Sequence, residues 1–510
     1  MKRLLLSVFT LASLPVFAQK QKLVTDPVEK YAQTITTVGL KEKLTVIASA
    51  EMQGRETTSP GQRKAAAYIE SQFEKFGLQP ATTGGYQMQF PIFQDTIVDI
   101  WMKSNGYEQK LDSNYTFNVT NAASGNLEIK EIVFASYGIV SDTRNDFSEI
   151  EVKDKWVMLL EGSPTGPGEP ADTKSLLSIT AKLEKIKLLG AKGLIVVSDD
   201  FPRKSMDPGK GKMTLKKAIT SPITMITVSN SLGHSLINMD PNNLLQNLKI
   251  IPTGSYDTKI QLSISKRTLM LQSSNVLAIL PGTDKKDEYV FITAHYDHLG
   301  VRNKEIYYGA DDNGSGTAAV LQLAEAFARA KNEGFTPRRS IVFMTVSGEE
   351  KGKLGSEFYT QHPTFPLNKT SVDLNIDMIG RTDPKYKGDS LNYFYVIGDD
   401  KLSSDLSFIT DSINKKYSHL QLDRRYNDVK DANRFYYRSD HYNFAKNGVP
   451  AIFYFSGTHF DYHKPSDTID KINFELMLKR VKFIYYTAWD MANRNNMLKR
   501  DIPLPALQSE

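Results

Sequence analysis

Between residues 265 and 500, short apolar runs alternate with longer segments that have helical spacing. The apolar runs at 290–294, 341–346, 374–378 and 451–455 have the length and composition of buried strands. Segments 315–330 and 474–493 repeat their apolar residues with the period of a helix. Such alternation is typical of layered folds in which helices cover a sheet. The pattern therefore predicts an α/β fold with a mixed, largely parallel central sheet.

Acidic and imidazole side chains stand where these predicted strands end. They are His295, Asp297, Glu349, Glu350, Asp377 and His463, and Asp312 precedes the helix predicted at 315–330. In open α/β sheets, the ligand crevice lies at the carboxyl ends of the strands. A single residue of this kind more often has a structural role than a functional one. Here, however, four strand ends bring carboxylate or imidazole side chains to one edge of the sheet. We therefore expect a functional site there.

The clustered carboxylates indicate a bound cation. Without one, they would repel each other and their pKa values would rise. The chain has no cysteine, which excludes disulfides, thiolate zinc sites and cysteine catalysis. A metal must therefore be held by His, Asp and Glu, and zinc suits mixed imidazole and carboxylate ligands with open positions. Two zinc ions suit two histidines and three carboxylates when one carboxylate bridges.

Composition narrows the class of protein. The 510 residues are 40% hydrophobic and 24% charged, which is ordinary for a globular protein and excludes disordered, collagen-like and coiled-coil chains. This length favours two or three domains. With 63 basic and 58 acidic residues, the formal net charge is only +5. We therefore predict no nucleic-acid partner, because such a partner requires a concentrated basic face. The oligomeric state is left open.

The first residues of the chain have the pattern of a secretory signal peptide. Lys2 and Arg3 precede an apolar stretch at 4–17, and Ala18 ends a small-residue cleavage site. The stretch is shorter than the about 20 apolar residues of a membrane span, and a serine and a proline interrupt it. We predict a secreted or periplasmic protein without a membrane span.

The middle of the chain is predicted to be an inserted domain. Residues 116–264 contain short alternating runs, a helix-like segment and a buried strand, as in a βα-rich unit, and no plausible metal cluster. The predicted division is a signal peptide (1–18), a catalytic domain (19–115 and 265–500), the inserted domain (116–264) and a tail (501–510).

Five segments, in this order along the chain, resemble the co-catalytic dizinc exopeptidases of the aminopeptidase S and aminopeptidase Y type. They are AHYDH at 294–298, GADDNGSG at 309–316, SGEE at 347–350, NIDMIG at 375–380 and DYHKPSDT at 461–468. The MQGR segment at 52–55 resembles the N-terminal helix region of that family. The inserted domain resembles the protease-associated domain found in many members. The resemblance implies a three-layer α/β/α sandwich of the zinc exopeptidase type.

The same resemblance assigns metal ligands to motif positions. Asp312 would bridge two zinc ions. Glu350 and His463 would complete the site of one ion, and His295 and Asp377 would complete the site of the other.

Further roles follow from the same motifs. Asp297 would orient a zinc-binding histidine through the second ring nitrogen, and Glu349 would be the general base. Tyr462 would hydrogen-bond the developing oxyanion, with packing as its alternative role. The predicted pocket residues are Arg438, Asp440 and His441, and for the last two a structural hydrogen-bonded pair is the alternative.

The resemblance implies a secreted aminopeptidase acting on peptides with a free N-terminus. A metal-bridging water would attack the N-terminal peptide bond, with a glutamate as general base. A glutamate-releasing-type carboxypeptidase is an alternative, with Arg438 or 424–425 as cations for the terminal carboxylate. A glutaminyl cyclase with one zinc and a metal-free, receptor-like relative are further alternatives, and the complete set of five ligands disfavours both. The preferred N-terminal residue is left open.

Overall fold

The computed structural model describes residues 26–141, 144–164, 178–203, 209–217, 223–238 and 248–505. The predicted signal peptide, 1–18, and the last five residues of the predicted tail lie outside these ranges. Within the described ranges, every helix is too short or too polar to span a membrane.

Helices and strands alternate through most of the chain. The described helices are α1 (Pro27–Ala32), α2 (Thr37–Ile47), α3 (Pro60–Lys75), α4 (Ile179–Leu188), α5 (Asn230–Leu236), α6 (Gly316–Asn332), α7 (Leu354–Gln361), α8 (Leu406–Ile413), α9 (His441–Ala445) and α10 (Phe474–Asn493). The described strands are β1 (Gln79–Pro80), β2 (Gln87–Ser104), β3 (Tyr107–Gln109), β4 (Tyr115–Phe117), β5 (Gly125–Phe134), β6 (Trp156–Leu160), β7 (Gly193–Ser198), β8 (Lys210–Thr214), β9 (Thr224–Ser229), β10 (Gly254–Leu280), β11 (Lys285–His295), β12 (Gly300–Arg302), β13 (Glu305–Tyr307), β14 (Arg339–Val346), β15 (Thr370–Ile376), β16 (Tyr393–Ile397), β17 (Gln421–Asp423) and β18 (Ala451–Phe455).

The C-terminal half of the chain forms one end of a large sheet. Its strand order is β17-β16-β18-β15-β11-β14-β10. Strands β18, β15, β11 and β14 are parallel to one another, whereas β16 and β10 run antiparallel to their neighbours β18 and β14. This is the mixed, largely parallel sheet that the sequence pattern predicts.

Successive residues of the central strands face opposite sides of this sheet. On β11, Val290 and Ile292 belong to a large apolar core that also contains residues of α6 and α10. Phe291, between them, packs with Tyr359 of α7 and Phe444 of α9 in a second core. A strand covered on both faces buries successive side chains in two different layers. The predicted three-layer α/β/α architecture is therefore confirmed.

The predicted elements agree closely with the observed ones. The strand predicted at 451–455 and the helix predicted at 474–493 have the bounds of β18 and α10. The strand predicted at 374–378 ends two residues earlier, at Ile376. Asp377 therefore lies just beyond the carboxyl end of β15, where a side chain can turn toward the sheet edge.

A long antiparallel ribbon connects the middle of the chain to the rest of the sheet. Strand β2 pairs with β10 from Gln87↔Val276 to Ser104↔Ile260. Beyond β10, the sheet continues as β5-β6-β7-β9-β4, in which β5, β6, β7 and β9 are parallel. The predicted domain boundary at 264/265 falls inside β10, and Met102 of β2 packs in the core of the inserted unit. The inserted unit therefore shares strands with the preceding part of the chain.

Candidate metal centre

The carboxyl end of β11 and the loops after β14 and β15 converge on one buried cluster. His295 ends β11, and its Nε2 lies 3.4 Å from Asp312 Oδ1 and 3.4 Å from Asp377 Oδ1. Two ligand atoms on the same tetrahedral zinc ion lie about 3.3–3.6 Å apart, because Zn–N and Zn–O bonds are about 2.0–2.2 Å long. These three side chains are therefore spaced to hold one metal ion.

A second group of side chains shares Asp312. Its Oδ2 lies 3.1 Å from His463 Nε2, and the same ring nitrogen lies 3.3 Å from Glu350 Oε2. His298 also reaches this group, with its Nδ1 2.8 Å from Glu350 Oε1. One carboxylate oxygen of Asp312 thus faces each group, as a bridging ligand requires. The structure brings all five predicted ligands together.

Several polar atoms of the cluster are buried without a hydrogen bond. Among the residues that the structure describes, none makes a hydrogen bond with His295 Nε2, His298 Nδ1 or Glu350 Oε1. Buried polar atoms are normally hydrogen-bonded, and buried carboxylates are paired or coordinate metals. A cation between these atoms would satisfy them, so the side chains present fit a divalent metal.

The charges of the cluster act strongly on one another. Burial lowers the pKa of the His295 ring. The Asp377 and Asp312 carboxylates raise it by more than burial lowers it, so the pKa lies well above its ordinary value. Burial raises the pKa of Asp312, and its histidine neighbours lower it well below its ordinary value. A metal-binding histidine must be neutral. Metal binding should therefore release protons from this cluster.

Asp297 supports the cluster through two different groups. His295 Nδ1 lies 3.1 Å from the main-chain oxygen of Asp297 and 3.8 Å from its carboxylate Oδ1. The carboxylate instead accepts hydrogen bonds from Thr57 Oγ1 at 2.7 Å and from the Glu349 main-chain N–H at 3.2 Å. Asp297, the residue predicted to orient His295, thus contacts the second ring nitrogen through its main-chain carbonyl, with its carboxylate 3.8 Å away. The side chain fixes the turn that carries Glu349.

Glu349 lines a cavity beside the cluster. The lining residues are His295, Asp312, Glu349, Asp377, Met378, Phe435, Arg438, Ser439, Phe453, Phe455, Thr458 and Tyr462. Burial raises the pKa of Glu349, and the His295 ring opposes this rise. The neighbouring carboxylates of Asp440 and Glu350 add to it, so the pKa stands well above its ordinary value. A carboxylate with a raised pKa is suited to accept a proton.

Of the three predicted pocket residues, only Arg438 lines the cavity. Asp440 and His441 are 1% and 0% exposed, so the prediction that they contact substrate is corrected. Asp440 accepts a hydrogen bond from Ser356 Oγ, and burial raises its pKa to about 6. The His441 ring stacks on Phe453 with 5.1 Å between centroids, and burial lowers its pKa to about 3. Both residues turn inward because α9 begins here, and they support the cavity wall from behind.

Tyr462 combines packing with a polar contact. Its ring stacks on the His463 ring with 3.8 Å between centroids. Its hydroxyl oxygen accepts a hydrogen bond from Arg438 Nη2 at 3.3 Å. The stacking holds a predicted ligand in place, and the hydroxyl stays at the cavity wall.

Residues without a predicted role hold the ligand loops. Ser439 Oγ donates a hydrogen bond of 2.7 Å to Asp377 Oδ2. The Asp467 carboxylate accepts hydrogen bonds of 3.1–3.2 Å from the main-chain N–H groups of Asp311 and Asp312. Asp467 lies in the DYHKPSDT segment, and Ser439 lies between the predicted pocket residues Arg438 and Asp440, but only the fold shows which atoms they contact.

Arg55, from the MQGR segment, connects the N-terminal part of the chain to two of these loops. It is completely buried, and burial lowers its pKa to about 10. Its guanidinium donates hydrogen bonds of 2.7–2.9 Å to main-chain oxygens of Ile47, Tyr296, Tyr308 and Gly309. Tyr296 follows His295, and Gly309 opens the segment that contains Asp312, so one side chain links both ligand segments.

Replacing Arg55 by methionine should destabilise the protein by about 3–5 kcal/mol, because four carbonyl groups lose their donors and each buried unpaired group costs about 1–3 kcal/mol. Urea unfolding followed by circular dichroism measures the change. Arg63→Met is the matched control: Arg63 is exposed and donates one hydrogen bond, to the Thr58 main-chain oxygen. That variant should change the free energy of unfolding by less than about 0.5 kcal/mol. Equal stability of the two variants would contradict the role given to Arg55.

Residues 275–488 match the sequence model of peptidase family M28. This segment contains both groups of candidate ligands and Glu349. A probable leucine aminopeptidase of Trichophyton verrucosum is 28% identical over 241 residues, which are 46% of this chain and 60% of that protein. A probable leucine aminopeptidase of Arthroderma otae is 29% identical over 228 residues, 43% of this chain and 58% of that protein. The matched part thus spans less than two thirds of either relative.

Solved structures share the fold over nearly the whole chain. The aminopeptidase from Aneurinibacillus sp. strain AM-1 has a TM-score of 0.58 at 20% identity, over 94% of this chain and 100% of that one. A zinc aminopeptidase from Bacillus subtilis has a TM-score of 0.53 at 19% identity, over 92% of this chain and 99% of that one. At these identities the likeness shows the fold alone. The match to peptidase family M28 is thus confined to residues 275–488, the segment that carries the ligand cluster.

Proposed function

We propose that this protein is a zinc-dependent aminopeptidase that removes residues from peptides with a free N-terminus. The observation that carries the proposal is the position of Asp312, which lies between two groups of candidate ligands beside a cavity lined by Glu349. The family match and relatives named as aminopeptidases support the same activity.

Two zinc ions are proposed to occupy the cluster. His295 and Asp377 would hold one ion, Glu350 and His463 the other, and Asp312 would bind both. Bound zinc ions polarise a carbonyl group and lower the pKa of water. The distances within each group and the buried atoms without hydrogen bonds support this assignment.

Glu349 and Tyr462 are proposed to act on the substrate. Glu349 would take a proton from the attacking water and deliver it to the leaving amine. Tyr462 would donate a hydrogen bond to the oxygen of the scissile carbonyl as negative charge develops there. Both residues line the cavity, and Arg438 keeps the tyrosine hydroxyl at the wall.

The cavity wall favours an apolar N-terminal residue. Met378, Phe435, Phe453 and Phe455 contribute apolar surface to it, and Arg438 adds a positive charge. An apolar side chain gains about 25 cal/mol per Å² of buried surface, whereas a buried charge without a partner is strongly unfavourable. We propose leucine, methionine or phenylalanine as the preferred first residue.

A panel of aminoacyl p-nitroanilides tests this function. We expect kcat/KM for the leucine and phenylalanine substrates to exceed that for lysine by about 10–100-fold, since the wall is apolar and carries a cation. N-acetyl-leucine p-nitroanilide should not be cleaved, and a chelator should abolish activity that zinc then restores. Full activity after verified removal of all metal, or cleavage of the acetylated substrate, would contradict the proposal.

A carboxypeptidase is the second candidate, because Arg438 lines the cavity and can bind a terminal carboxylate. The other predicted cations are engaged elsewhere. Arg424 pairs with Asp399 and Asp411, and Arg425 pairs with Asp423. Comparing an N-acetylated dipeptide that has a free C-terminus with a dipeptide amide separates the two activities. A count of two zinc ions per chain, rather than one, separates both from a cyclase.

Two further proposals, on export and on the inserted domain, rest on the sequence. We propose that the protein is exported, because its first eighteen residues have the pattern of a signal peptide. We also propose that 116–264 is a protease-associated domain, on the resemblance given above, and that it covers the site or selects substrates rather than taking part in bond cleavage. No side chain from its described part belongs to either ligand group.

A further inference from the structure

His298 is held rigidly at the edge of the ligand cluster. Its side chain is 0% exposed, and its main-chain N–H donates a hydrogen bond of 3.3 Å to the Arg55 main-chain oxygen. The ring lies against Gly309, where any Cβ would come within 2.5 Å of two ring atoms. Gly309 has a φ of 55°, which a side chain would also disfavour. The GADDNGSG segment therefore begins with a glycine that leaves room for this imidazole.

The ring nitrogens of His298 are buried without hydrogen bonds. Its Nδ1 lies 2.8 Å from Glu350 Oε1 and 3.8 Å from Asp312 Oδ2. Across the described part of the chain, no hydrogen bond satisfies Nδ1, Nε2 or the facing Glu350 Oε1. A buried imidazole beside a buried carboxylate, with atoms of both unsatisfied, requires another partner.

A metal ion bound by Glu350 and His463 would supply the missing partner of the His298 ring. Ligand atoms around a tetrahedral zinc ion lie about 3.3–3.6 Å apart. The contacts of His298 Nδ1 at 2.8 and 3.8 Å, and those of His463 Nε2 at 3.1 and 3.3 Å, bracket this spacing. The His298 and His463 rings approach at 67°, with 5.9 Å between centroids, so both can face the space between the two carboxylates.

We propose that His298 is a further metal ligand and binds, through Nδ1, the same ion as Glu350 and His463. This inference rests on the proposed two-zinc centre. It makes the centre asymmetric: four side chains hold the ion at Glu350, whereas three hold the ion at His295. The ion at Glu350 then has fewer positions left for water or substrate than the ion at His295, which keeps an open one.

The cavity supports this asymmetry. His295, Asp312 and Asp377 all contribute to its wall. The ion with the open position therefore lies on the side from which substrate enters. The ion at Glu350 is held more tightly, and a chelator removes it last.

X-ray absorption spectroscopy of the two-zinc protein tests the proposal, because it counts imidazole ligands per zinc. We expect three imidazole ligands for the two zinc ions of the wild-type protein, and two imidazole ligands in His298→Gln. His441→Asn is the matched control, since His441 is equally buried, also lacks hydrogen bonds to its ring among the described residues, and belongs to neither candidate ligand group. That variant should retain three.

Chelator competition gives an independent readout. His298→Gln should bind one of its two zinc ions at least about 100-fold more weakly, because even residues that only orient ligands contribute 10–100-fold. Two imidazoles for two zinc ions in the natural sequence would overturn the inference and leave the proposed centre standing. Failure of the natural sequence to bind zinc would instead overturn the centre itself. The number of imidazole ligands in the wild-type protein tests the role of His298 even if His298→Gln does not fold.

Discussion

Replacing Glu349 by glutamine should lower kcat by about 10²–10⁴-fold, which is about 3–5 kcal/mol of barrier, while both zinc ions stay bound. Glutamine has nearly the same shape as glutamate, but it cannot take a proton from water. KM should change little, because the proposed task of Glu349 is to move a proton rather than to bind substrate. Steady-state kinetics on a leucine p-nitroanilide and metal analysis of the same sample measure both quantities.

The structure gives these adjacent glutamates different surroundings. Glu349 lines the cavity, and its main-chain N–H is hydrogen-bonded to Asp297 Oδ1. The Glu350 side chain is 5% exposed and contacts His463 and His298. One turn thus presents one carboxylate to the cavity and the other to the histidines.

Glu350→Gln is the matched control for this experiment, since the chemical change is the same one residue further on. It should weaken the binding of one zinc ion, because an anionic ligand is lost. If Glu349→Gln lost zinc and Glu350→Gln kept it, the two roles would be reversed. Nearly full activity of Glu349→Gln would contradict the proposed mechanism.

The positions of the proposed ligands could be predicted because parallel strands have a simple geometry. The buried parts of strands such as β11 and β14, at 290–294 and 341–346, are mostly apolar because helices cover both faces, and chemically reactive side chains follow these runs. His295 and Glu349 follow such runs, so the sequence places them at one edge without any knowledge of loop structure.

Contacts that depend on loop structure could not be predicted in this way. Asp440 and His441 lie next to Arg438 in sequence, but α9 begins at His441 and turns both side chains inward. His298 is one residue from Asp297, and nothing in its sequence surroundings shows that a glycine eleven positions later leaves room for its ring. Which carbonyl groups Arg55 contacts likewise depends on the approach of segments 253–254 positions away.

The inserted unit shows a similar limit. The sequence predicts its βα pattern but not the ribbon of β2 and β10, because strand pairing over this separation leaves no local signal. The ribbon brings Met213 of β8 into a small apolar cluster with Leu354 and Phe358 of α7. Helix α7 follows the turn that carries Glu349, so the inserted unit packs beside the proposed catalytic residues, and no side chain from its described part belongs to either ligand group.

Replacing Asp312 by alanine should weaken the binding of both zinc ions and lower kcat/KM by about 10³–10⁴-fold, because polarisation by metal ions contributes several kcal/mol to catalysis. Asp312 Oδ1 lies 3.4 Å from His295 Nε2, and its Oδ2 lies 3.1 Å from His463 Nε2. The substitution therefore takes a ligand from each ion. It also leaves the remaining carboxylates and histidines of each group without their shared anion. Metal analysis after dialysis and the leucine p-nitroanilide assay measure the effect.

Asp377→Ala is the control that separates a bridging ligand from an ordinary one. Asp377 Oδ1 lies 3.4 Å from His295 Nε2, and its Oδ2 is bound by Ser439, so its contacts are confined to one group. This variant should lose the ion at His295 and keep the ion at Glu350. Circular dichroism must show that both variants fold, since Asp312 is buried. If Asp312→Ala kept one ion as firmly as Asp377→Ala does, its carboxylate would bind a single zinc, and the two groups of ligands would be independent sites.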